Sequence, residues 1–203
     1  MTDTIGKWAA GASYGPVLSQ TDLYLLNIEL ELNPVLAGTS SAFQLQFNLS
    51  TGQMNGFNAE ARDHDLPFLP KDEPATLPRV SEVLVITEIS PWCSIIKNPQ
   101  GVTVGDITQA LWKEYTENYV TDKEFETLTP RVQEHIKRLA ASNAATASGM
   151  YAGYFSPATM PSRFRRADWL RDKLFFDRMT RKDPYVKSRL GFTAPNIFVM
   201  ALY

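Results

Sequence analysis

Arg62-Asp63-His64-Asp65 is the densest polar cluster in the chain, and carboxylates flanking an imidazole are the right materials for a general base or a metal-ligand set. Neighbours at i and i+2 share a site only on extended backbone, and no second His or Cys stands at ligand spacing. A solvated loop therefore accounts for the cluster better than a metal centre does, and His64 remains only as a candidate binding residue. The stretch from Arg163 to Lys173, RFRRADWLRDK, combines Arg with aromatics, the residue types that contact phosphates and stack on bases. Its candidate binding residues are Arg163, Arg165, Arg166, Asp168 and Trp169. The competing reading is internal and fits the residues better. In it Arg165 or Arg166 satisfies Asp168, while Trp169, Leu170, Phe175 and Phe176 dock on a sheet.

The other reactive side chains have simpler explanations. His135 falls on the outer face of a predicted helix. Cys93 lies between Trp92 and Ile95 in an apolar strand, where burial raises a thiol pKa and suppresses its nucleophilicity. Gly101-Val-Thr-Val-Gly105 lacks the Lys-Ser/Thr pair of a phosphate loop, and its Thr and Gly suit a turn followed by a helix cap. No catalytic residue, metal site or cofactor is predicted.

The bulk properties bound these readings. A chain of 203 residues with 44% hydrophobic and 11% aromatic residues can build one generous domain. The single Cys93 cannot form an internal disulfide, and no apolar run has signal-peptide or membrane-spanning length, so the chain reads as cytoplasmic or nuclear, with no membrane partner. The net charge of −2 hides an asymmetry: residues 163–189 hold ten Lys or Arg against four Asp, and the remainder carries −8. Such segregation marks either an acidic-partner surface or complementarity within one fold, and the interspersed acids favour the second.

The elements that must position these residues are clearest between Pro74 and Tyr115. Two β-rich runs, 83–88 and 92–97, reverse at Ser90-Pro91. Thr103 with Asp106 then forms a capping box ahead of a helix burying Val104, Ile107, Leu111 and Tyr115. Further helix starts stand at Thr121 with Glu124, and at Thr129-Pro130, which opens a helix to about Ala147 with Val132, Ile136, Leu139, Ala140 and Asn143 inward and Glu134 paired with Arg138. Alternation predicts strands at 27–32 and 42–49, and the apolar run 196–203 reads as a central strand. Residues 1–16 read as a flexible tail, 148–162 as a loop, and 50–81, with four prolines, as a long irregular loop. The predicted fold is α+β: a single domain over 17–203, with a mostly antiparallel sheet of about five strands covered on one face by two or three helices.

Several of these segments, in this order, resemble a domain-of-unknown-function family abundant in mushroom-forming fungi. They are Asn-Pro-Val-Leu at 33–36, FQLQFNL at 43–49, EPATLP at 73–78, VLVIT at 83–87, PWCSII at 91–96, GVTVGD at 101–106 and RRADWL at 165–170. The resemblance spans roughly residues 30–180 and implies a fungal cytosolic domain without implying any activity. Asn33 stands where His is expected in that family, and Phe47-Asn48 where Trp-Asp is common. Both departures bear against a shared polar site there.

The expected function is a non-enzymatic interaction or scaffold domain that uses the basic-aromatic segment to meet an acidic protein or another copy of itself. The alternative is a small-molecule binder or enzyme with a pocket lidded by 50–81 and Asp63, His64 and Asp65 near Trp92 and Arg166. Nucleic-acid binding comes third.

Overall fold

The computed structural model describes residues 7–11, 15–58, 61–147 and 163–203, with 61–64 and 143–147 as backbone only. The elements run α1 (Gln20–Leu26), β1 (Glu31–Leu32), α2 (Pro34–Ala37), β2 (Gln44–Phe47), β3 (Met54–Asn58), β4 (Ala61–Pro67), a 3-10 turn (Leu69–Asp72), β5 (Thr76–Leu77), β6 (Glu82–Thr87) and β7 (Cys93–Lys97). They continue with α3 (Val104–Glu117), α4 (Asp122–Glu126), α5 (Pro130–Ala147), α6 (Arg166–Leu170), β8 (Phe176–Thr180), α7 (Asp183–Leu190) and β9 (Ile197–Leu202). The class is α+β, as predicted. The strands divide among three sheets, β1-β5, β2-β3-β4 and the four-stranded β7-β6-β9-β8, of which the last is mixed because β6 and β9 run parallel.

The four-stranded sheet follows directly from side-chain alternation. Val83 and Val85 of β6, Ile96 of β7, and Phe198 and Met200 of β9 face the main core, which also receives Val104, Ile107, Leu111 and Tyr115 from α3. Ile86, Ile197 and Val199 face the other way and meet Val186 of α7 in a smaller cluster. Helices therefore lie on both faces of this sheet. α7 escapes the sequence reading because Val186 is its one fully buried residue. β9 is central, between β6 and β8, and four of its six residues are buried.

Segment 50–81 is not an irregular loop. β3 and β4 form a hairpin that pairs with β2, the 3-10 turn follows, and β5 pairs with β1. Its strands carry few apolar residues, so alternation gives no signal. Gly56 instead marks a close approach: a Cβ built there would stand 2.3 Å from the Phe43 ring and 2.6 Å from the carbonyl oxygen of Gln44. The strand predicted over 27–32 shortens to Glu31–Leu32. Asn27 sits in the left-handed region as the C-cap of α1, although Ile28, Leu30 and Leu32 do pack on the core. α1 carries a Ser19–Asp22 capping box but buries only Leu23, too little for periodicity to register. The described part of the expected tail is tied down, since Arg79 donates to the carbonyls of Gly11 and Gly15 at 3.4 and 2.7 Å. The loop expected at 148–162 and the inward Asn143 side chain lie outside the described residues.

The helix starts are where the capping residues put them. Thr103 accepts from the Asp106 amide at 3.1 Å while the Asp106 carboxylate accepts from the Thr103 amide at 2.9 Å, and Thr121 and Glu124 repeat the arrangement. No described helix is long and apolar enough to cross a membrane. Replacing Gly56 with Ala forces a methyl group into the Phe43 ring and should destabilise the fold by about 1–3 kcal/mol. A urea unfolding midpoint equal to that of the native chain contradicts the packing described for this hairpin.

Candidate functional site

The segment singled out in the sequence is built around α6, and its side chains divide into an inner and an outer set. The backbone enters by pairing Tyr119 with Arg165, where Val120 donates to the Phe164 carbonyl at 2.8 Å and Arg166 donates to the Asn118 carbonyl at 3.0 Å. Buried Asp168 then accepts from the Arg165 amide at 2.8 Å, the N3 half of a capping box. One contact of the Asp168 carboxylate is therefore with main chain. The sequence reading has Arg165 or Arg166 satisfying Asp168 through a side chain, and the contact seen here is with the Arg165 amide. The reason is local, because three residues separate Asp168 from the amide it caps.

The inner set centres on Trp92. Its indole N–H donates to Glu124 Oε1 at 2.7 Å, and its ring meets Trp169 and Tyr115 edge-on at centroid distances of 5.2 and 5.9 Å. The Arg166 guanidinium lies over the ring at 4.6 Å and pairs through Nη1 with Glu114 of α3. Trp169 donates from its indole N–H to the Ile89 carbonyl at 2.9 Å, and the Tyr115 hydroxyl shares a 2.9 Å hydrogen bond with Ser90. Arg189 of α7 closes the other side. It donates to the carbonyls of Thr87, Ser90 and Trp92, the latter two at 2.7 and 3.1 Å, and so holds the β6–β7 turn. Arg189 has no sequence signal, since its acceptors are backbone atoms about a hundred residues away along the chain.

Ionisation in this cluster follows from burial and hydrogen bonding. Burial pushes the Tyr115 hydroxyl up to about 12, with the Ser90 hydrogen bond opposing. Burial alone would raise Glu124. The Thr121 amide, the Trp92 indole and the Thr121 hydroxyl outweigh it and hold the carboxyl below its usual range. Cys93 is raised mainly by desolvation, which leaves a neutral thiol and bears out its reading as a packing residue. The hydrogen bonds and ring contacts of this cluster join α3, α4, α6, α7 and the β6–β7 turn.

The outer set is different. Arg163 and Arg165 are exposed, and Arg163 lies over the ring of Tyr119, itself 41% exposed, at 5.0 Å. Neither arginine forms an ion pair with a described residue. His64 belongs to β4, and its side chain lies outside the described residues, as do those of Arg62 and Asp63; Asp65 is exposed on the same strand. Among the described residues no group of three or more His, Cys, Asp or Glu could hold a metal.

A third feature was not anticipated from the sequence. Arg131, Val132, Glu134, His135 and Arg138 of α5 face Arg171 across an open cleft of about 540 Å³. His135 is exposed, as expected, but it lines this cleft. The i, i+4, i+7 spacing of Arg131, His135 and Arg138 is legible once the helix is known, whereas the approach of Arg171 depends on tertiary packing.

Two predictions follow from the inner set. Arg166→Ala uncovers Trp92 and leaves Glu114 half-buried without its cation, and should cost about 2–4 kcal/mol, with Arg166→Lys recovering only part because an ammonium cannot stack flat; chemical denaturation of the three proteins measures it. Because the folded Tyr115 value lies above its ordinary 10, the stability Tyr115 contributes is intact below pH 10 and lost as pH rises toward 12. Urea midpoints taken across that interval should fall less steeply for Tyr115→Phe than for the native chain.

A family model described as a family of unknown function (DUF6699) matches residues 42–187. No curated protein and no solved structure matches the chain.

Proposed function

The chain belongs to this family of unknown function, which its match covers over most of its length, and on that premise we propose that it is an intracellular protein-interaction domain. Its docking surface is the rim formed by Tyr119, Arg163 and Arg165, and the occupant is an acidic, aromatic-containing segment of a partner protein. The observation that supports this is the division within one segment. Arg166, Asp168 and Trp169 are engaged in the fold, whereas Arg163 and Arg165 are exposed and form no ion pair with a described residue, and Arg163 lies over the exposed Tyr119 ring. Arg and Tyr are the residue types that most often dominate binding energy at interfaces, and guanidinium groups suit carboxylate-bearing ligands. On the resemblance of its motif order, the protein is read as fungal and as cytoplasmic or nuclear.

Fluorescence anisotropy with a labelled Asp/Glu-rich peptide containing one aromatic tests the proposal. Arg163→Ala and Arg165→Ala should each weaken binding by about five- to tenfold, with unchanged thermal unfolding. Equal affinity of the double variant refutes it. Preference for a single-stranded oligonucleotide, with a steep salt dependence, transfers the surface to nucleic acid. Dimerisation lost in the same double variant makes a second copy the occupant.

A further inference from the structure

We propose that the cleft between α5 and the turn after α6 is a binding site for a phosphate-type dianion, with Arg171 as its anchoring residue. Three independent observations meet at that residue. The first is charge: Arg131, His135 and Arg138 form one stripe of α5 and Arg171 lines the cleft with them, against the single carboxylate of Glu134. That carboxylate is already engaged by Arg138 Nε at 3.6 Å. Guanidinium groups present flat forks of donors that match the oxygens of a phosphoryl group, and a dianion with several acceptor oxygens can use more than one fork at once.

The second observation is backbone strain. Arg171 has φ 60° and ψ −116°, and Lys173 donates to the Leu170 carbonyl at 3.1 Å, which makes Leu170–Lys173 a type II′ turn with Arg171 at its first central position. Glycine is the residue that this position favours, and a side chain there is strained. Strained residues persist when the surroundings impose them, and they concentrate at binding sites. The third is an unmet donor. Arg171 Nε is buried without a hydrogen-bond partner among the described residues, in a chain where most buried polar atoms are paired. A turn that only had to reverse the chain would be served better by glycine. An arginine held there at a cost, with an unpaired donor and the Arg131 cation and the His135 imidazole across the cleft, is accounted for by an anion.

The inference is independent of the rim proposed above, since it uses other residues. Isothermal titration of the full chain with orthophosphate, pyrophosphate, a phosphoserine peptide and the unphosphorylated peptide tests it. At least one phosphate probe should bind, and Arg171→Gly should weaken it by about tenfold or more while the thermal midpoint stays the same or rises. Arg131→Gln carries the same test should Arg171→Gly fail to fold, with Lys113→Gln on α3 as a charge-matched control. Binding of the free anions assigns a small phosphorylated ligand, and preference for the phosphopeptide over them assigns a modified partner; either supports the shared chemistry. Failure of every phosphate probe to bind, undiminished binding by Arg171→Gly, or an equal loss in Lys113→Gln overturns it.

Discussion

The ring of Trp92 is the point on which the packing of the described elements converges. It stands at the start of β7 and is touched by Tyr115 from α3, by Glu124 from α4, and by Arg166 and Trp169 from α6. Each contact is worth little alone: about 0.5–1.5 kcal/mol for an edge-to-face pair beyond its buried area, and about 1–2 for a partly desolvated cation over a ring. Their value is collective. Four segments distant in sequence are positioned by one rigid, flat side chain, and the indole N–H leaves it only one orientation in which its donor is satisfied.

The same cluster explains the lopsided charge of the chain. The cationic stretch from 163 to 189 delivers Arg166 to Glu114, Lys182 to Glu88 and Arg189 to three main-chain carbonyls, while Arg178 and Arg181 pair with the nearby Asp177 and Asp183. Much of the positive charge is therefore an internal complement to an acidic remainder. Among the described residues, and apart from Arg189 with its carbonyl acceptors, the cations of this stretch that form no ion pair are Arg163 and Arg165 before α6, Arg171 and Lys173 just after it, and Lys187 on α7. Arg163 and Arg165 are separated from Arg171 by the short helix α6, whose Ala167–Leu170 are buried.

Legibility in the sequence tracked how much a residue's partners are local. Capping boxes at Thr103 and Thr121 were readable because donor and acceptor lie three residues apart, and α5 began at Pro130 as expected for the same reason. The alternating face of Gln44–Phe47 and the continuous apolar run of Ile197–Leu202 are equally plain. The hairpin of β3 and β4 was not, because its register comes from pairing with β2 and from the room left at Gly56, neither of which appears in composition. For the candidate residues at 163–169, the division between Arg166, held by Glu114 and Trp92, and the exposed Arg163 and Arg165 depends on tertiary packing that residue types do not show. The role of Arg189 has no sequence signal because its acceptors are main-chain, and Arg171 lies within the basic stretch but its positive φ does not show in residue types.

The parallel pairing of β6 with β9 has a further consequence for how the molecule assembles. Leu84 registers with Ile197 and Thr87 with Met200, so the middle of the sheet cannot zip together until segments more than a hundred residues apart meet. Until then β6 and β7 can form a hairpin, but one long flank of β6, with Val83, Val85 and Ile86, has no neighbour. Non-local closure of this kind is slow, and an unpaired apolar flank invites wrong partners while it waits. The sheet that organises the finished protein is thus also its most vulnerable part during synthesis.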